Sequence, residues 1–356
     1  MNIRNTIRTS IILTAALAAL PGLGAERAAA GSLAVHDGRH DFDFNIGTWK
    51  TRIRILSHPL SGSTRWSRFD GTVVVRPLWG GKGQLEQIEA QGSHGHFEGM
   101  TLFLYDTRAR QWGQYFANSE SGALDSGVRG SFKGRQGEFY GEDSVNGRAV
   151  LVRMVWTVTS ATEHHVVQSF SADGGRTWEA NFIGDLTAAR ETPSVPPVSS
   201  DPAQHDFDWQ FGDWKIHMQR LLHPLSNAET WTTYDGSVEV MKLWAGRANL
   251  AEIAASGPSG SLQFLALRLF NPRSQQWALY FAHAGSDAVE APMYGGFKEG
   301  HGTFYDEESL DGRSILGRFA FDSTDADSGR DEQAFSADGG RTWEVNWVNH
   351  LRRATK

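Results

Sequence analysis

Two histidines and two glutamates are the residues of this sequence best suited to move a proton. His58 and His223 each follow a long predicted strand and precede Pro-Leu-Ser. An imidazole in that place could act as an acid, a base or an axial haem ligand, although a plain turn residue fits the pattern better. Glu86 and Glu252 lie on predicted strands, where a carboxylic acid could serve the same acid–base role. We therefore predict these four residues as the catalytic candidates.

Arg153 and Arg318 are the candidates for holding a charged ligand. Arg153 interrupts a strand whose two faces are both apolar, so we expect it to be at least half buried. A buried guanidinium requires an acidic partner or an anionic ligand. Pairing with Glu142 or Asp143 and binding of a ligand carboxylate both satisfy this requirement. The other ligand-binding candidates recur at matched places in the chain: Gln168, Gln333, Asn181, Asn346, Trp66 and Trp231.

The histidine patterns give weak support for metal binding. His94-Gly95-His96 would place two imidazoles on one strand face, but glycines surround the pair, which favours a surface loop. His40 and Asp43 recur further along the chain, and a strap that closes the end of a barrel explains them better than a metal does. P-loop, dinucleotide-binding, zinc-protease and nucleophile-elbow motifs are all missing from the sequence. We predict neither a metal nor a cofactor.

Composition excludes several classes of protein. The chain has 356 residues, a formal charge of −7 and no cysteine. Disulfides, thiolate nucleophiles and cysteine-ligated clusters are therefore excluded. The negative charge disfavours nucleic acid and anionic membrane surfaces as partners. At about 150 residues a domain, the length predicts two domains of ordinary soluble composition.

Residues 1–30 resemble an export signal. Arg4 and Arg8 precede an apolar run at residues 11–20, and three alanines end the segment at a suitable cleavage site. The apolar run is too short to span roughly 30 Å of hydrocarbon. We therefore predict a periplasmic or secreted protein that is not inserted in a membrane after signal cleavage, with a small molecule as its partner.

The remainder of the chain consists of two tandem copies of one domain. His-Asp-Phe-Asp at residues 40–43 recurs at 205–208, and Ser-Ala-Asp-Gly-Gly-Arg-Thr-Trp-Glu at 171–179 recurs at 336–344, always 165 residues later. Residues 191–204 contain four prolines and predict a semi-extended linker. We predict a first barrel at residues 36–190 and a second at 205–356.

Alternation of apolar and polar residues predicts strands almost throughout, separated by Gly-, Asn- and Asp-rich turns. The candidate strands of the first copy lie near residues 48–56, 66–76, 84–91, 97–105, 111–118, 125–132, 137–142, 148–157, 163–171 and 177–186. Short strands at this spacing are typical of antiparallel barrels and sandwiches. We predict an all-β protein with two tandem antiparallel barrels of roughly ten strands each.

Gly47-Thr48-Trp49 and Gly212-Asp213-Trp214 open the first strand of each copy. A Gly-x-Trp at the start of an antiparallel barrel resembles the calycin superfamily, which includes the lipocalins. More closely, each copy resembles the bacterial family named domain of unknown function 1579, which runs from Phe-Asp-Phe-x-x-Gly-x-Trp to Ser-x-Asp-Gly-Gly-x-Thr-Trp-Glu. The resemblance implies calycin-like barrels and a late Arg or Lys over the opening Trp. It implies no established reaction.

Three functions are compatible with these patterns. The first is an exported binding protein that holds a small, partly apolar or anionic molecule inside a barrel. The second is an enzyme, such as an isomerase, lyase or hydrolase, that acts on a small molecule within one barrel. The third is a structural module with filled barrels. The polarity of the interior should discriminate among them.

Overall fold

The computed structural model describes residues 37–93, 95–190 and 202–354. Within these ranges the chain forms two closed antiparallel barrels of ten strands each, which confirms the predicted fold. We call them barrel 1 and barrel 2. The predicted signal peptide and residues 191–201 of the predicted linker lie outside the described residues. No helix of the described part is both long and apolar enough to cross a bilayer.

Barrel 1 is a meander in which each strand pairs with the next and the last strand closes on the first. Its strands are β1 Gly47–Leu56, β2 Trp66–Leu78, β3 Gly83–Gly92, β4 Gly95–Asp106, β5 Gln111–Asn118, β6 Val128–Lys133, β7 Gln136–Val145, β8 Arg148–Val158, β9 Glu163–Ser171 and β10 Glu179–Ala188. Closure joins β1 to β10, with Trp49 opposite Ala188 and Ile55 opposite Phe182. Full closure leaves no sheet edge exposed.

Barrel 2 repeats the same order. Its strands are β11 Gly212–Leu221, β12 Trp231–Leu243, β13 Ala248–Gly257, β14 Gly260–Asn271, β15 Gln276–His283, β16 Met293–Lys298, β17 His301–Leu310, β18 Arg313–Asp325, β19 Ser328–Ser336 and β20 Glu344–Arg353. Closure joins β11 to β20, with Trp214 opposite Arg353. The Arg353 guanidinium lies 4.1 Å from the Trp214 ring centroid, in the place that the calycin resemblance implies.

In each repeat, a segment of two short 3-10 helices closes one end of the barrel. We call residues 37–45 the plug of barrel 1. The Trp112 indole donates to the Gly38 carbonyl and the Trp49 indole to the Asn45 carbonyl, both at 2.8 Å. Phe42 is fully buried within a ring of aromatic side chains. These rings belong to Phe103, Trp112, Phe132, Phe139 and Trp156. The plug therefore seals this end of the barrel.

The repeated histidine motif serves the plug. The His40 ring lies 2.8 Å from the Asp43 carboxylate, and the His205 ring lies 2.9 Å from that of Asp208. Each pair spans three residues and ties one short helix to the next. A local tie of this kind is the strap that the sequence predicts.

The two barrels pack against each other through the outer faces of β3–β5 and β13–β15. These faces carry a shared apolar core that includes Leu85, Met100, Leu102, Leu104, Leu250, Leu265, Leu267 and Leu269. Two tyrosines frame it reciprocally. The Tyr115 hydroxyl donates to the Asp287 carbonyl at 2.6 Å, and the Tyr280 hydroxyl accepts from the Leu124 amide at 3.2 Å. The interface is thus built from matching parts of the two repeats.

Candidate functional site

Barrel 1 is hollow. Its cavity measures about 320 Å³ and extends from the plugged end to the opposite rim, where residues 125–127 form part of the wall. Aliphatic side chains from several strands line it together with five aromatic residues: Phe97, Phe116, Trp156, Phe170 and Phe182. A mostly apolar cavity of this volume suits a small organic molecule.

Glu86 is the ionisable group deepest in this cavity. It lies on β3, two residues from Gln84, whose amide donates to the plug carbonyl of Phe42 at 2.9 Å. The Glu86 side chain is only 4 % exposed, and its Oε1 accepts the Thr101 hydroxyl at 2.8 Å. Burial raises the pKa of Glu86 to about 7, while hydrogen bonds from Thr101 and Asn45 act in the opposite direction. The carboxyl is therefore poised to change charge near neutral pH.

Amide side chains supply further polar groups to the cavity wall. Gln114 accepts the Trp156 indole at 3.0 Å, which leaves its own Nε2 without a partner among the described residues. Within the same set, the buried Oδ1 of Asn181 has no partner either. Gln168 also lines the cavity. Buried polar atoms normally have a hydrogen-bond partner in a folded protein. These two unpaired atoms are therefore available to hydrogen-bond a bound molecule.

The charges around the cavity are of one sign. Asp125, Glu142 and Asp143 lie at the rim, and Glu86 lies deep inside. Among the described residues, the cavity wall contains no lysine, arginine or histidine. Four carboxylic acids without a basic residue disfavour an anionic occupant.

Barrel 2 is filled, with a remaining cavity of about 40 Å³. Arg268 occupies its interior, where Nη1 donates to Gln210 at 2.6 Å and to Asn249 at 3.0 Å. Its guanidinium also lies 4.6 Å from the Phe207 ring centroid. Burial lowers the pKa of Arg268 to about 10 and raises that of the neighbouring Asp331 to about 7. Arg268 and its neighbours thus form a buried polar cluster that fills the interior of barrel 2.

A few exchanges between the repeats account for this difference. At inward positions of barrel 2, larger side chains replace smaller ones in three pairs, an arginine replaces a phenylalanine, and the deep glutamate is lost. The pairs, with barrel 1 first, are Gly99/Phe264, Gly184/Asn349, Met154/Phe319, Phe103/Arg268 and Glu86/Ala251; the inward position of Gly99 and Phe103 follows from alternation with the cavity residues Phe97 and Thr101. Since interiors pack closely, an added ring directly removes cavity volume.

The two predicted arginine anchors do not reach a cavity. Val152 and Met154 on β8 face the interior of barrel 1, so Arg153 between them faces outward. The guanidinium of Arg153 lies 4.7 Å from the Trp178 ring centroid, and that of Arg318 lies 4.9 Å from Trp343. The outer face of β8 carries the apolar Leu151 and Val155 beside Arg153, and Trp178 lies over this face, so both faces of the strand carry apolar residues.

The other predicted residues divide between the cavity and the surface. His58 and His223 are exposed turn residues, and the His58 carbonyl accepts the Ser61 hydroxyl at 2.6 Å. Glu252 faces barrel 1 at the interface, where it accepts the Trp79 amide at 2.9 Å. The remaining four candidates line neither of the two cavities described for barrels 1 and 2: Trp66, Trp231, Gln333 and Asn346. Of the predicted residues, the structure brings together three in one cavity: Glu86, Gln168 and Asn181.

His164 is a buried group that the sequence analysis did not select. Its ring packs 5.1 Å from that of Phe44 and 4.3 Å from that of Trp49, and neither ring nitrogen has a partner among the described residues. Burial lowers its pKa to about 4. In barrel 2 this space is filled by Trp209, and a Cβ on Gly329 would lie only 2.4 Å from that ring. The paired exchange identifies His164 as a core residue.

Glu89, His96 and Glu98 form one cluster with metal-ligand chemistry outside the cavity. His96 lies 2.9 Å from Glu89, and Arg247 of barrel 2 pairs with Glu98. These contacts form an ion-pair network at the interface, in which burial and the nearby Glu98 raise the pKa of Glu89 to about 8. The neighbouring His94 lies outside the described residues.

No family model and no curated protein sequence matches this chain. Several solved structures are similar to it, among them the following two. A protein of unknown function of the DUF3598 family from Nostoc punctiforme is 12 % identical with a TM-score of 0.27, over 89 % of this chain and 99 % of that one. A mutant of transferrin binding protein B from Haemophilus parasuis is 8 % identical with a TM-score of 0.19, over 86 % and 76 %. The fold assignment rests on the strand order, and membership of the domain of unknown function 1579 family stays a prediction.

Proposed function

We propose that this chain is an exported binding protein that holds one small, largely apolar molecule inside barrel 1. Barrel 2 then supports barrel 1 through their common interface. Export, to the periplasm or beyond the cell, rests on the signal-like residues 1–30. The carrying observation is the contrast between an open interior of about 320 Å³ and a filled one of about 40 Å³ in two copies of one fold.

This contrast argues against a purely structural role for barrel 1. Hollow interiors lose packing contacts, and the second repeat demonstrates that the same fold can be filled. Binding of a ligand restores those contacts, because a bound apolar molecule buries its own surface against the cavity wall. We therefore assign ligand binding to barrel 1 alone.

An enzyme is the second candidate, and one observation favours it. Glu86 is a buried carboxyl with a pKa of about 7, which suits a general acid or base at neutral pH. Isomerase, lyase or hydrolase chemistry would then depend on Glu86, since His58, His223 and Glu252 lie outside the cavity. A molecule that binds and is released chemically unchanged supports the binding role, whereas turnover that Glu86→Gln abolishes supports catalysis.

Site-directed thiol labelling tests the location of binding, since the native chain has no cysteine. Met154→Cys places a thiol in the cavity wall, and Arg153→Cys places one on the outer face of the same strand. Both variants are titrated with the neutral fluorophore N-phenyl-1-naphthylamine before and after reaction with benzyl methanethiosulfonate. The benzyl group should fill the cavity and abolish binding only in Met154→Cys, and a reductant should restore it.

The Arg153→Cys protein is the matched control, because its label lies one residue away but outside the barrel. Equal loss of binding in both labelled proteins would contradict a cavity site. Absence of fluorophore binding to the unlabelled chain would contradict the proposed function itself. Unchanged binding in Arg153→Ala would further exclude the arginine as a ligand anchor.

A further inference from the structure

We propose that the molecule held in barrel 1 is a small amine on an apolar skeleton, bound as its ammonium ion by Glu86. This inference rests on the proposed binding function and names the class of ligand. The geometry behind it is a carboxylate placed deep in an apolar cavity, with further carboxylates at the entrance. Such an arrangement favours a cationic group on the ligand over an anionic one.

The first argument is charge balance. Glu86 is 4 % exposed, and its partners are the neutral side chains of Thr101 and Asn45. Among the described residues of the cavity wall, no basic side chain compensates it. A buried charge without a counter-charge is costly, so an ammonium group on the ligand would stabilise the ionised carboxylate.

The second argument is the chemistry of the wall. Aromatic faces attract cations, and aromatic cages recognise alkylammonium groups in other proteins. Trp156 and Phe116 line the same cavity as Glu86. An apolar skeleton would pack against these rings while the ammonium group contacts the carboxylate.

The third argument is the comparison between the two repeats. Ala251 replaces Glu86 in the filled barrel, and Arg268 supplies the interior cation there. That arginine faces Asp331, whose charge it offsets. In barrel 2 the protein therefore provides both charges itself. In barrel 1 it provides only the negative one, and the ligand would provide the positive one.

Matched competitors test this inference with the purified full chain. N-phenyl-1-naphthylamine is bound first and then displaced by 4-phenylbutylamine, 4-phenylbutanol or 4-phenylbutyrate, which share one skeleton. A charge-assisted hydrogen bond should give the amine about a tenfold advantage over the alcohol. Repulsion by the four acids should make the carboxylate weaker than the alcohol by about tenfold as well.

Variants assign the preference to one residue. Glu86→Gln should lose the preference for the amine over the alcohol, with each displacement expressed relative to the fluorophore affinity of the same variant. Glu252→Gln is the matched control, because it removes a carboxylate outside the cavity and keeps an acceptor for the Trp79 amide; its preference should match that of the parent. Equal displacement by amine and alcohol, or a preference that survives Glu86→Gln, would overturn the inference while the binding function stands. Failure of the parent chain to bind the fluorophore would overturn both.

Discussion

Replacement of Glu86 by glutamine should change how the stability of the protein depends on pH. Below pH 4.5, the carboxyl is protonated in both the folded and the unfolded chain. Between pH 4.5 and about 7, the unfolded chain releases this proton while the folded chain keeps it, so the free energy of unfolding falls as the pH rises. Above pH 7 the folded protein buries the charge. The Glu86 carboxyl therefore has no unfavourable effect on the free energy of unfolding in acid and lowers it at neutral pH.

The magnitude follows from the two pKa values. Burial raises the pKa from 4.5 to about 7, and each pH unit of difference corresponds to about 1.4 kcal/mol. The Glu86 carboxyl therefore costs about 3 kcal/mol at pH 8 relative to pH 4. Glutamine has nearly the same shape, can still accept the Thr101 hydroxyl and carries no charge. Relative to the parent, the free energy of unfolding of the Glu86→Gln protein should therefore rise by about 3 kcal/mol between pH 4 and pH 8.

Urea unfolding at pH 4 and pH 8, followed by tryptophan fluorescence, measures this difference directly. Other titrating groups contribute equally to parent and variant, so the difference between the two proteins isolates Glu86. Glu120→Gln serves as the control, because Glu120 is an exposed carboxylate whose removal should leave the comparison flat. A parent–variant difference that stays within about 0.5 kcal/mol between the two pH values would refute the reasoning.

Three further predictions concern the cores. His164→Leu should remove an acid sensitivity: burial lowers the histidine pKa from 6.5 to about 4, so the parent loses about 3 kcal/mol as the pH falls through this window. His58→Gln in an exposed turn is the control and should leave this loss unchanged. Arg268→Met should lower the free energy of unfolding in urea by about 1–3 kcal/mol, since it leaves the buried side-chain oxygens of Gln210 and Asn249 without their donor; a loss below about 0.5 kcal/mol would contradict this role. Leu102→Asp buries an unpaired charge between the barrels and should lower the free energy of unfolding by at least about 3 kcal/mol. An unchanged free energy of unfolding would contradict a stabilising role for the interface.

The strands could be predicted from the sequence because side-chain alternation and turn residues are local signals. The predicted strand at residues 148–157, for example, corresponds to β8 at Arg148–Val158. The direction of Arg153 could not be predicted, because apolar residues on both faces hide which face is inside. Only the tertiary fold brings Trp178 over the outer face of β8 and covers its apolar residues.

Part of the candidate site could be predicted from the sequence. The offset of 165 residues pairs Glu86 with Ala251 and Glu252 with Gln87, so the two glutamates already lie on opposite faces of equivalent strands. The open interior of barrel 1 could not be predicted, because cavity volume depends on which side chains meet across the barrel. The exchange of Gly99 for Phe264 has meaning only once both positions are known to lie on the inner face of their strands.

The reciprocal contacts between the barrels suggest how the protein arose. Tyr115 and Tyr280 each reach the matching loop of the other repeat, and both repeats contribute the same leucine-rich strands. This is the self-complementary geometry of a twofold homodimer. An ancestral single barrel would have associated with a second copy through this face, and fusion of the two genes would have made the pair permanent. Once joined, one subunit could become filled and specialise as scaffold while the other kept its cavity, a division of labour that identical subunits cannot reach.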